Sequence, residues 1–513
     1  MNALKTIILI CVVLYLLSML FILLYSLAQG YLAWSYLTKR KKQPVQKIPD
    51  CSVDSWPDVT IQLPVYNEKY VVVRLIDAVV KMGYPKERLE IQILDDSKDE
   101  TVDIIAQKVE EYFLQGFNIK HIHRKNREGY KAGALKVGLN RAEGEYIAIF
   151  DADFIPQPDF LKQTIPYFHH EKTGMVQTRW GHLNRSYSLL TRMQAFALDA
   201  HFGIEQKGRN ASGCFMNFNG TAGVWRKSCI LDAGNWQSDT LSEDMDLSYR
   251  AQLKGWKFIY LEDVISPAEL PPVMSAVKTQ QYRWTKGGAQ TARKLLWQVL
   301  RSKQSLKVKW QATFHLLNTL VFPAIICSAV CSVPLLLMPR ELPVLSHYII
   351  WASIFFLSFL IFGLIYYVTA TQTEDNRLGY FVRIFPLFLS VYMGLSLHNS
   401  LAVLSGWWGK QTPFIRTPKF DILEKKHGKR LLINNSYLKN NIPVSTWMEG
   451  ILALYFFSAI VLAFYLNNFT LLIFHLMLVL GFGLVFYYSI RRYPLQKRAI
   501  IKDSKVKSSV VVN

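Results

Sequence analysis

The sequence predicts an α/β domain, built on a mixed and mostly parallel sheet, inserted between transmembrane helices of an α-helical membrane domain. Three observations carry this expectation. The chain of 513 residues is 51% hydrophobic yet has a formal net charge of +21. Its apolar residues are gathered in long charge-free blocks, with Lys and Arg between and after them, as in a membrane protein obeying the positive-inside rule. The surplus charge therefore need not mean nucleic acid, and no nucleic-acid partner is expected. Secondly, from Val59 to about Ile265 short apolar runs alternate with helical stretches, the pattern of a largely parallel sheet. Thirdly, acidic motifs close those runs, where sheets of this kind hold ligands.

In chain order, no charged residue falls between Lys5 and Lys39, which is ample for one crossing. The apolar core is too long for a cleaved signal peptide. Lys39, Arg40, Lys41 and Lys42 follow and place this end in the cytoplasm. Residues 39–58, with Pro44 and Pro57, read as a linker. Strands are expected at VTIQL, IQIL, Ile119–His123 and the run into Asp151, with helices over Lys69–Met82, Thr101–Gln115 and Ala132–Asn140. No G-x-G-x-x-G or P-loop lysine motif is present, so dinucleotide and ATPase readings lack their main support. Six scattered cysteines show neither zinc nor disulfide spacing, which fits a reduced cytoplasmic setting.

Residues 59–287 are expected to form the cytosolic domain and residues 288–310 an amphipathic helix at the membrane interface. Gln311–Pro339 and Leu342–Thr373 each lack charges and are long enough to span. The stretch Ile384–Gly409 is also apolar, and a basic loop over residues 410–447 follows it. Gly450–Ile490 reads as a hairpin of two spans turning at Asn467 and Asn468, with a basic cytoplasmic tail beyond Arg491. If Ile384–Gly409 spanned, Lys410, Arg416, Lys419, Lys425, Lys426, Lys429 and Arg430 would lie outside, against the positive-inside rule. Five spans plus one interfacial or re-entrant segment over 374–409 are therefore expected.

IAIFDAD, Ile147–Asp153, is the stretch on which the chemistry centres. In an extended chain, positions two apart face one side, so Asp151 and Asp153 can point together off the strand's end. Two hard oxygen ligands suit Mg²⁺ or Mn²⁺ and a diphosphate sharing the ion. Alone, this D-x-D is as readily an acidic turn. Its company is LDDS (Leu94–Ser97), SED (Ser242–Asp244) and Q-x-x-R-W (Gln280–Trp284).

PVYNE, LDDS, REGYKAGALK, FDADF, FNGTAGVWR, LSEDMDL and QQYRW, in this order and spacing, resemble the membrane-embedded family 2 glycosyltransferases. The resemblance is closest to the cellulose-synthase-like enzymes that make β-1,4-mannan or β-1,4-glucan. It implies a GT-A domain fused to a transmembrane channel. It also implies that Asp95 or Asp96 contacts the nucleotide, and that Lys131, Asp151, Asn219, Gly220 and Arg283 bind the nucleotide sugar. Lys131 opens a helix whose N-terminal amides could help hold phosphate; its plain alternative is a surface lysine. Gly220 and Gly223 are consistent with backbone packed against a ligand or with a tight turn. Asp244 matches the family's final aspartate, the base of a single-step inverting transfer. Glu243 is expected beside it as a catalytic residue, although with Thr240 it also fits a capping box. Phe215 and Phe218 read as core.

Gln280, Arg283 and Trp284 share one helix face at i, i+3 and i+4. There an indole can stack on an acceptor sugar and a guanidinium can answer a departing diphosphate. The alternative is an amphipathic helix anchored by Trp at the lipid surface, which Arg293, Lys294 and Trp297 support. FIRTPK, Phe414–Lys419, is similar to the F-x-V-T-x-K gating loop of cellulose synthases but departs at Arg416. The resemblance puts Phe414, Thr417 and Lys419 over the nucleotide. The expected activity is processive, inverting extension of a β-1,4-linked polysaccharide from UDP-glucose or GDP-mannose, with Mg²⁺ or Mn²⁺ as cofactor. The alternative is a non-processive transferase glucosylating a lipid such as ceramide. Implied partners are the nucleotide sugar, the growing polysaccharide and the bilayer, with a homo-oligomer or accessory subunits left open. A bacterial inner membrane, a plasma membrane or the Golgi would each suit.

Overall fold

Among the described residues seven strands form one sheet: β1 (Val59–Val65), β2 (Leu89–Asp95), β3 (Asn118–His123), β4 (Tyr146–Ile149), β5 (Thr173–His182), β6 (Gly223–Arg226) and β7 (Lys257–Ala268). Their spatial order is β3-β2-β1-β4-β6-β5-β7. This architecture comes from a computed structural model that describes residues 3–39, 56–348, 354–373, 376–421 and 442–491. The first four strands run parallel. β6 enters antiparallel between β4 and β5, while β5 and β7 are parallel. The sheet is thus mixed and mostly parallel, as the alternating pattern predicts. The strands β5, β6 and β7 carry no such helix-strand alternation and are resolved only by the structure.

Burial on both faces explains the composition of the central strands. Ile61, Leu63, Ile91 and Ile93 join one hydrophobic cluster with Val72, Leu75, Ile76 and Val79 of the helix Val72–Val80. Those helical positions share one face, which packs on the sheet. The polar residues of β1 and β2 are buried too, and register pairs them: Gln62 Nε2 donates to Gln92 Oε1 at 3.1 Å and Thr60 Oγ1 to Glu90 Oε2 at 2.6 Å. Each covers a group that would be costly to bury alone. The helix Tyr130–Arg141 crosses this ladder at Gly138, where a Cβ would meet Gln62 Nε2 at 2.7 Å. Only glycine permits that approach.

Three local expectations change. β4 ends at Ile149, and Asp151–Phe154 is a turn closed by Phe154 N–H on the Asp151 carbonyl at 3.1 Å. The side-sharing argument for an extended D-x-D therefore does not apply, although both carboxylates still reach one cleft. The helix Glu243–Leu253 begins after Ser242 without a side-chain cap, and Thr240 Oγ1 has no partner among the described residues. The capping box is not formed. The expected helix Lys69–Met82 contracts to Val72–Val80, because residues 69–71 form a turn before it.

Among the described residues, four helices are long and apolar enough to cross a membrane: Ala3–Thr38, Asn318–Leu335, Val444–Leu466 and Leu472–Ile490. Arg377–Gly394 and Ser396–Trp407 form a pair bent by 48° that would add a fifth if it were one span. Phe356–Gln372 is apolar and shorter. The stretch Gln311–Pro339 is not one straight helix: Leu306–Leu316 ends, a single 3₁₀ turn intervenes, and Val321–Leu335 continues. Asn467, in the left-handed region at φ 49°, ends Val444–Leu466 as the hairpin reading expects. A long helix, Met274–Arg301, runs from the α/β domain along the membrane helices. Its buried Lys278 donates to Glu449 Oε2 at 2.6 Å and Thr446 Oγ1 at 3.2 Å, tying it to the span Val444–Leu466. Arg40–Lys42, the linker through residue 55, the loop 422–441 with Lys425, Lys426, Lys429 and Arg430, and the tail 492–513 lie outside the described residues.

Candidate active site

A cleft opens at the carboxyl ends of β1, β2 and β4. It is closed on the far side by the start of Glu243–Leu253, by the helix Met274–Arg301 and by residues 414–419. Asp151, Asp153, Glu243 and Asp244 are among the carboxylates that line it. Lys131, from the first turn of Tyr130–Arg141, reaches in among them. Its Nζ donates to Asp151 Oδ1 at 2.6 Å and to the Gly220 carbonyl at 2.8 Å, and lies 3.9 Å from Glu243. Burial pulls this ammonium down, but the Asp151 and Glu243 charges outweigh it and hold Lys131 above its ordinary value. It is a fixed cation at the centre of the acids and not a surface lysine.

Asp244 is pushed up to about 7, first by burial and then by the adjacent Glu243 charge, with Lys131 opposing. Glu243 is raised as well, chiefly by burial. A carboxylate in that range accepts a proton from a hydroxyl near neutral pH better than an ordinary aspartate does. Gly220 stands directly behind it: φ is +81°, and a Cβ would lie 3.0 Å from Asp244 Oδ2. The tight-turn reading of this glycine holds, and its backbone backs onto the acid.

The remaining expected residues divide clearly. Asp96 lines the cleft and receives Arg124 through Nε at 2.6 Å and Nη2 at 2.5 Å. Asp95 is wholly buried behind it, bonded to His121 Nε2 at 2.9 Å, His123 Nδ1 at 3.2 Å and the Ser97 N–H at 2.8 Å. Burial raises Asp95, but the bonds from His121 and Ser97 outweigh it and hold the carboxyl low. Of the two aspartates it is Asp96 that the fold offers to a ligand. Asp95, His121 and His123 place ligand atoms within 4.8 Å of one another and could hold a metal ion of their own, outside the cleft. Asn219, Gly220, Gln280, Arg283 and Trp284 all line the cleft. Trp297, on the same helix, is exposed, so the first part of that helix faces the site and the later part faces outward. Phe215 and Phe218 are core.

Residues 414–421 lie across the opening. Phe414 stacks on Tyr130 with ring centres 5.9 Å apart, and the Arg283 guanidinium sits 4.5 Å from its ring centre. Lys419 Nζ meets Asp153 Oδ2 at 2.6 Å, and Arg416 Nη1 meets Glu68 Oε2 at 2.6 Å. Thr417 is buried. Beyond them, the Phe420 and Asp421 amides donate to Glu269 at 3.1 and 3.0 Å. Arg416, the departure from the gating-loop pattern, thus has a specific partner in PVYNE. Burial lifts Glu68 to about 7, with Arg416 and Lys419 opposing. Sequence reasoning missed the roles of Glu68, Arg124 and Arg127; the last lies over Tyr66 at 3.4 Å and donates to the Phe414 carbonyl at 3.2 Å. Glu68 and Tyr66 carried a signal, being part of PVYNE, as did Arg127, which opens REGYKAGALK; Arg124 carried none.

Asp151 and Asp153 each answer a lysine at 2.6 Å and are otherwise oxygen donors facing one cleft. That donor set fits a hard divalent cation, which would take the place of the two ammonium groups. The arrangement can hold an anionic diphosphate beside cations, present a raised carboxylate to a hydroxyl and offer an indole to a sugar ring.

Residues 57–287 match the glycosyltransferase-like family 2. The chain is 37% identical over 403 residues to glucomannan 4-beta-mannosyltransferase 2 of Arabidopsis thaliana, covering 76% of this chain and 72% of that protein. It is 46% identical over 261 residues to glucomannan 4-beta-mannosyltransferase 1 of Oryza sativa subsp. japonica, covering half of each. The match thus spans only about half the length of the rice relative. Among solved structures, a mannosyltransferase from Pyrobaculum calidifontis, PcManGT, in complex with GDP-Man and Mn²⁺, superposes with a TM-score of 0.52 at 17% identity. The superposition covers 80% of this chain and all of that one, and it shows a shared fold.

Proposed function

The chain belongs to the family 2 glycosyltransferases, in the cellulose-synthase-like group of its glucomannan 4-beta-mannosyltransferase relatives, and from that premise we propose that it extends a β-1,4-linked mannan from GDP-mannose and passes the product across the membrane. The observation that carries the reading is one cleft holding a carboxylate raised to about 7, an acid pair suited to a divalent cation, and a tryptophan on a helix bound to the membrane spans. GDP-mannose is preferred to UDP-glucose because the relatives are named for mannosyl transfer and PcManGT holds GDP-Man. The relatives give no support to a lipid glucosyltransferase.

Asp244 accepts the proton of the acceptor's hydroxyl, and the oxygen forms a bond to the sugar's anomeric carbon. The bond from that carbon to the diphosphate breaks on the opposite face, inverting the configuration. The nucleoside diphosphate departs with its electron pair, its charge answered by Lys131 and Arg283. Asp151 and Asp153 would hold a divalent cation, Mg²⁺ or Mn²⁺, and with it bound the diphosphate's charge would be neutralised further. Glu243 stays beside the base and raises its proton affinity. Asp96 contacts the nucleotide, Gln280 and Trp284 hold the acceptor's terminal sugar, and Phe414, Thr417 and Lys419 cover the bound nucleotide.

Membranes carrying the protein, incubated with radiolabelled GDP-mannose or UDP-glucose, test the assignment. The expected result is label from GDP-mannose in an ethanol-insoluble polymer that an endo-β-1,4-mannanase releases. Label entering only an organic-soluble lipid, or only an α-linked product, would overturn it.

A further inference from the structure

Beside the cleft the chain leaves α-helical geometry for one π-helical stretch, His201–Gln206. Such wide turns are uncommon and concentrate at working sites. This one brings His201 Nδ1 to 2.9 Å from Glu205 Oε2, while Arg209 Nη2 holds the other carboxylate oxygen at 2.8 Å. Burial would raise Glu205, but Arg209 and His201 outweigh it and hold the carboxyl well below its ordinary range. The imidazole is therefore fixed by a charged partner on one side. On its other side, Nε2 lies 3.0 Å from Asn219 Oδ1, and Asn217 Nδ2 donates to the same oxygen at 3.0 Å. Asn217 Nδ2 sets the sense of the carboxamide, and His201 adds a second donor on Oδ1 when both of its ring nitrogens carry protons, Nδ1–H facing the Glu205 carboxylate and Nε2–H facing Asn219. Among the described residues its Nδ2 then reaches only the Asn217 carbonyl, at 3.5 Å, leaving donor capacity for a ligand in the cleft that Asn219 lines. Gln177 Oε1 accepts the Asn219 backbone N–H at 2.9 Å, so the main chain is held too.

We propose that the Glu205–His201 pair is a positioning device for Asn219, and that Asn219 Nδ2 donates to a hydroxyl of the transferred hexose and so selects the hexose. The inference rests on the transferase reading above. The neighbouring Gly220 backs onto Asp244, which places the amide by the reacting sugar, whereas the diphosphate's charge is answered by Lys131 and Arg283. A fixed neutral N–H suits a sugar hydroxyl, and sites built to bond a particular hydroxyl discriminate strongly against sugars that place it elsewhere. His201 does not itself line the cleft; it acts through Asn219.

The test compares His201→Ala, His201→Gln, Asn219→Ala and the double alanine variant in the full chain, with GDP-mannose and GDP-glucose as donors and GDP as inhibitor. Each single alanine variant is expected to lower kcat/KM for GDP-mannose by about tenfold or more and to shrink the preference for mannose over glucose. The inhibition constant of GDP should stay within about twofold, because the device holds the sugar and not the nucleotide. The double variant should be no worse than Asn219→Ala, as expected of residues acting in series. His201→Gln should recover part of the loss, since its amide can also donate to Asn219 Oδ1. An unchanged sugar preference in His201→Ala, multiplying losses in the double variant, or a parallel fall in GDP affinity would each overturn the inference while leaving the transferase reading intact. A parental protein that uses neither donor would overturn both.

Discussion

Burial and the Glu243 charge bring Asp244 to about 7, and this has a readable consequence in pH. Below that value the carboxyl is protonated and cannot accept the acceptor's proton, so kcat/KM should fall about tenfold per unit on the acid side and level off above it. Glu68 is also lifted to about 7, so the owner of the limb must be separated. Glu68→Gln should keep the acid limb; its disappearance in that variant would assign the limb to the covering loop. Asp244→Asn should reduce transfer by about 10²–10⁴-fold while nucleotide binding stays nearly intact. Folding supplies a control. A carboxyl raised in the native state makes folding less favourable as pH climbs from the ordinary aspartate range through about 7. Removing its charge should thus leave the melting temperature unchanged or higher at pH 8, which separates a lost base from a lost fold. At this scale the sequence was partly legible. Adjacent Asp95 and Asp96 were bound to face opposite ways, but the choice between them depends on His121 and His123 across the sheet. Arg416 was visible as a departure, yet its partner Glu68 lies far away in the chain.

The helix Met274–Arg301 is the element in which two readings met. Gln280, Arg283 and Trp284 face the cleft, and Trp297 faces outward, so the periodicity correctly grouped the first three on one side. Trp284→Ala should leave a folded protein that makes little long polymer, because the acceptor's terminal ring loses its platform, while donor hydrolysis continues. Normal product length in that variant would make the indole a packing or anchoring residue only. The strands of the first half of the sheet were legible because apolar runs and helices alternate there. β6 was not, since only Gly223–Arg226 forms it and its pairing is antiparallel and long-range. The D-x-D was located correctly for a reason that fails: a turn, and not an extended strand, brings both carboxylates to the cleft.

For the whole molecule, the charge pattern and the apolar blocks announced a membrane protein, and among the described residues four helices meet the length and hydropathy of a span. The number of crossings depends on the shorter apolar helix Phe356–Gln372 and on the bent pair. Its first half packs on Leu472–Ile490, where a Cβ at Gly394 would strike the Gly481 backbone at 2.4 Å. Its second half packs on the cleft-lining helix, with Gly406 against the Lys286 carbonyl. A segment shared between a span and the catalytic helix is suited to re-enter the membrane and return to the same side. A cysteine placed at Gln411 in intact cells should therefore resist a membrane-impermeant thiol reagent and react only after permeabilisation. Labelling from outside would place the covering loop across the membrane from the donor and remove it from the site. A single inverting displacement with Asp244 as base is decided by the anomeric configuration of the product. Proton NMR of polymer made by the purified protein from GDP-α-mannose should show β-linked mannosyl residues alone. α-Linked residues would contradict the mechanism.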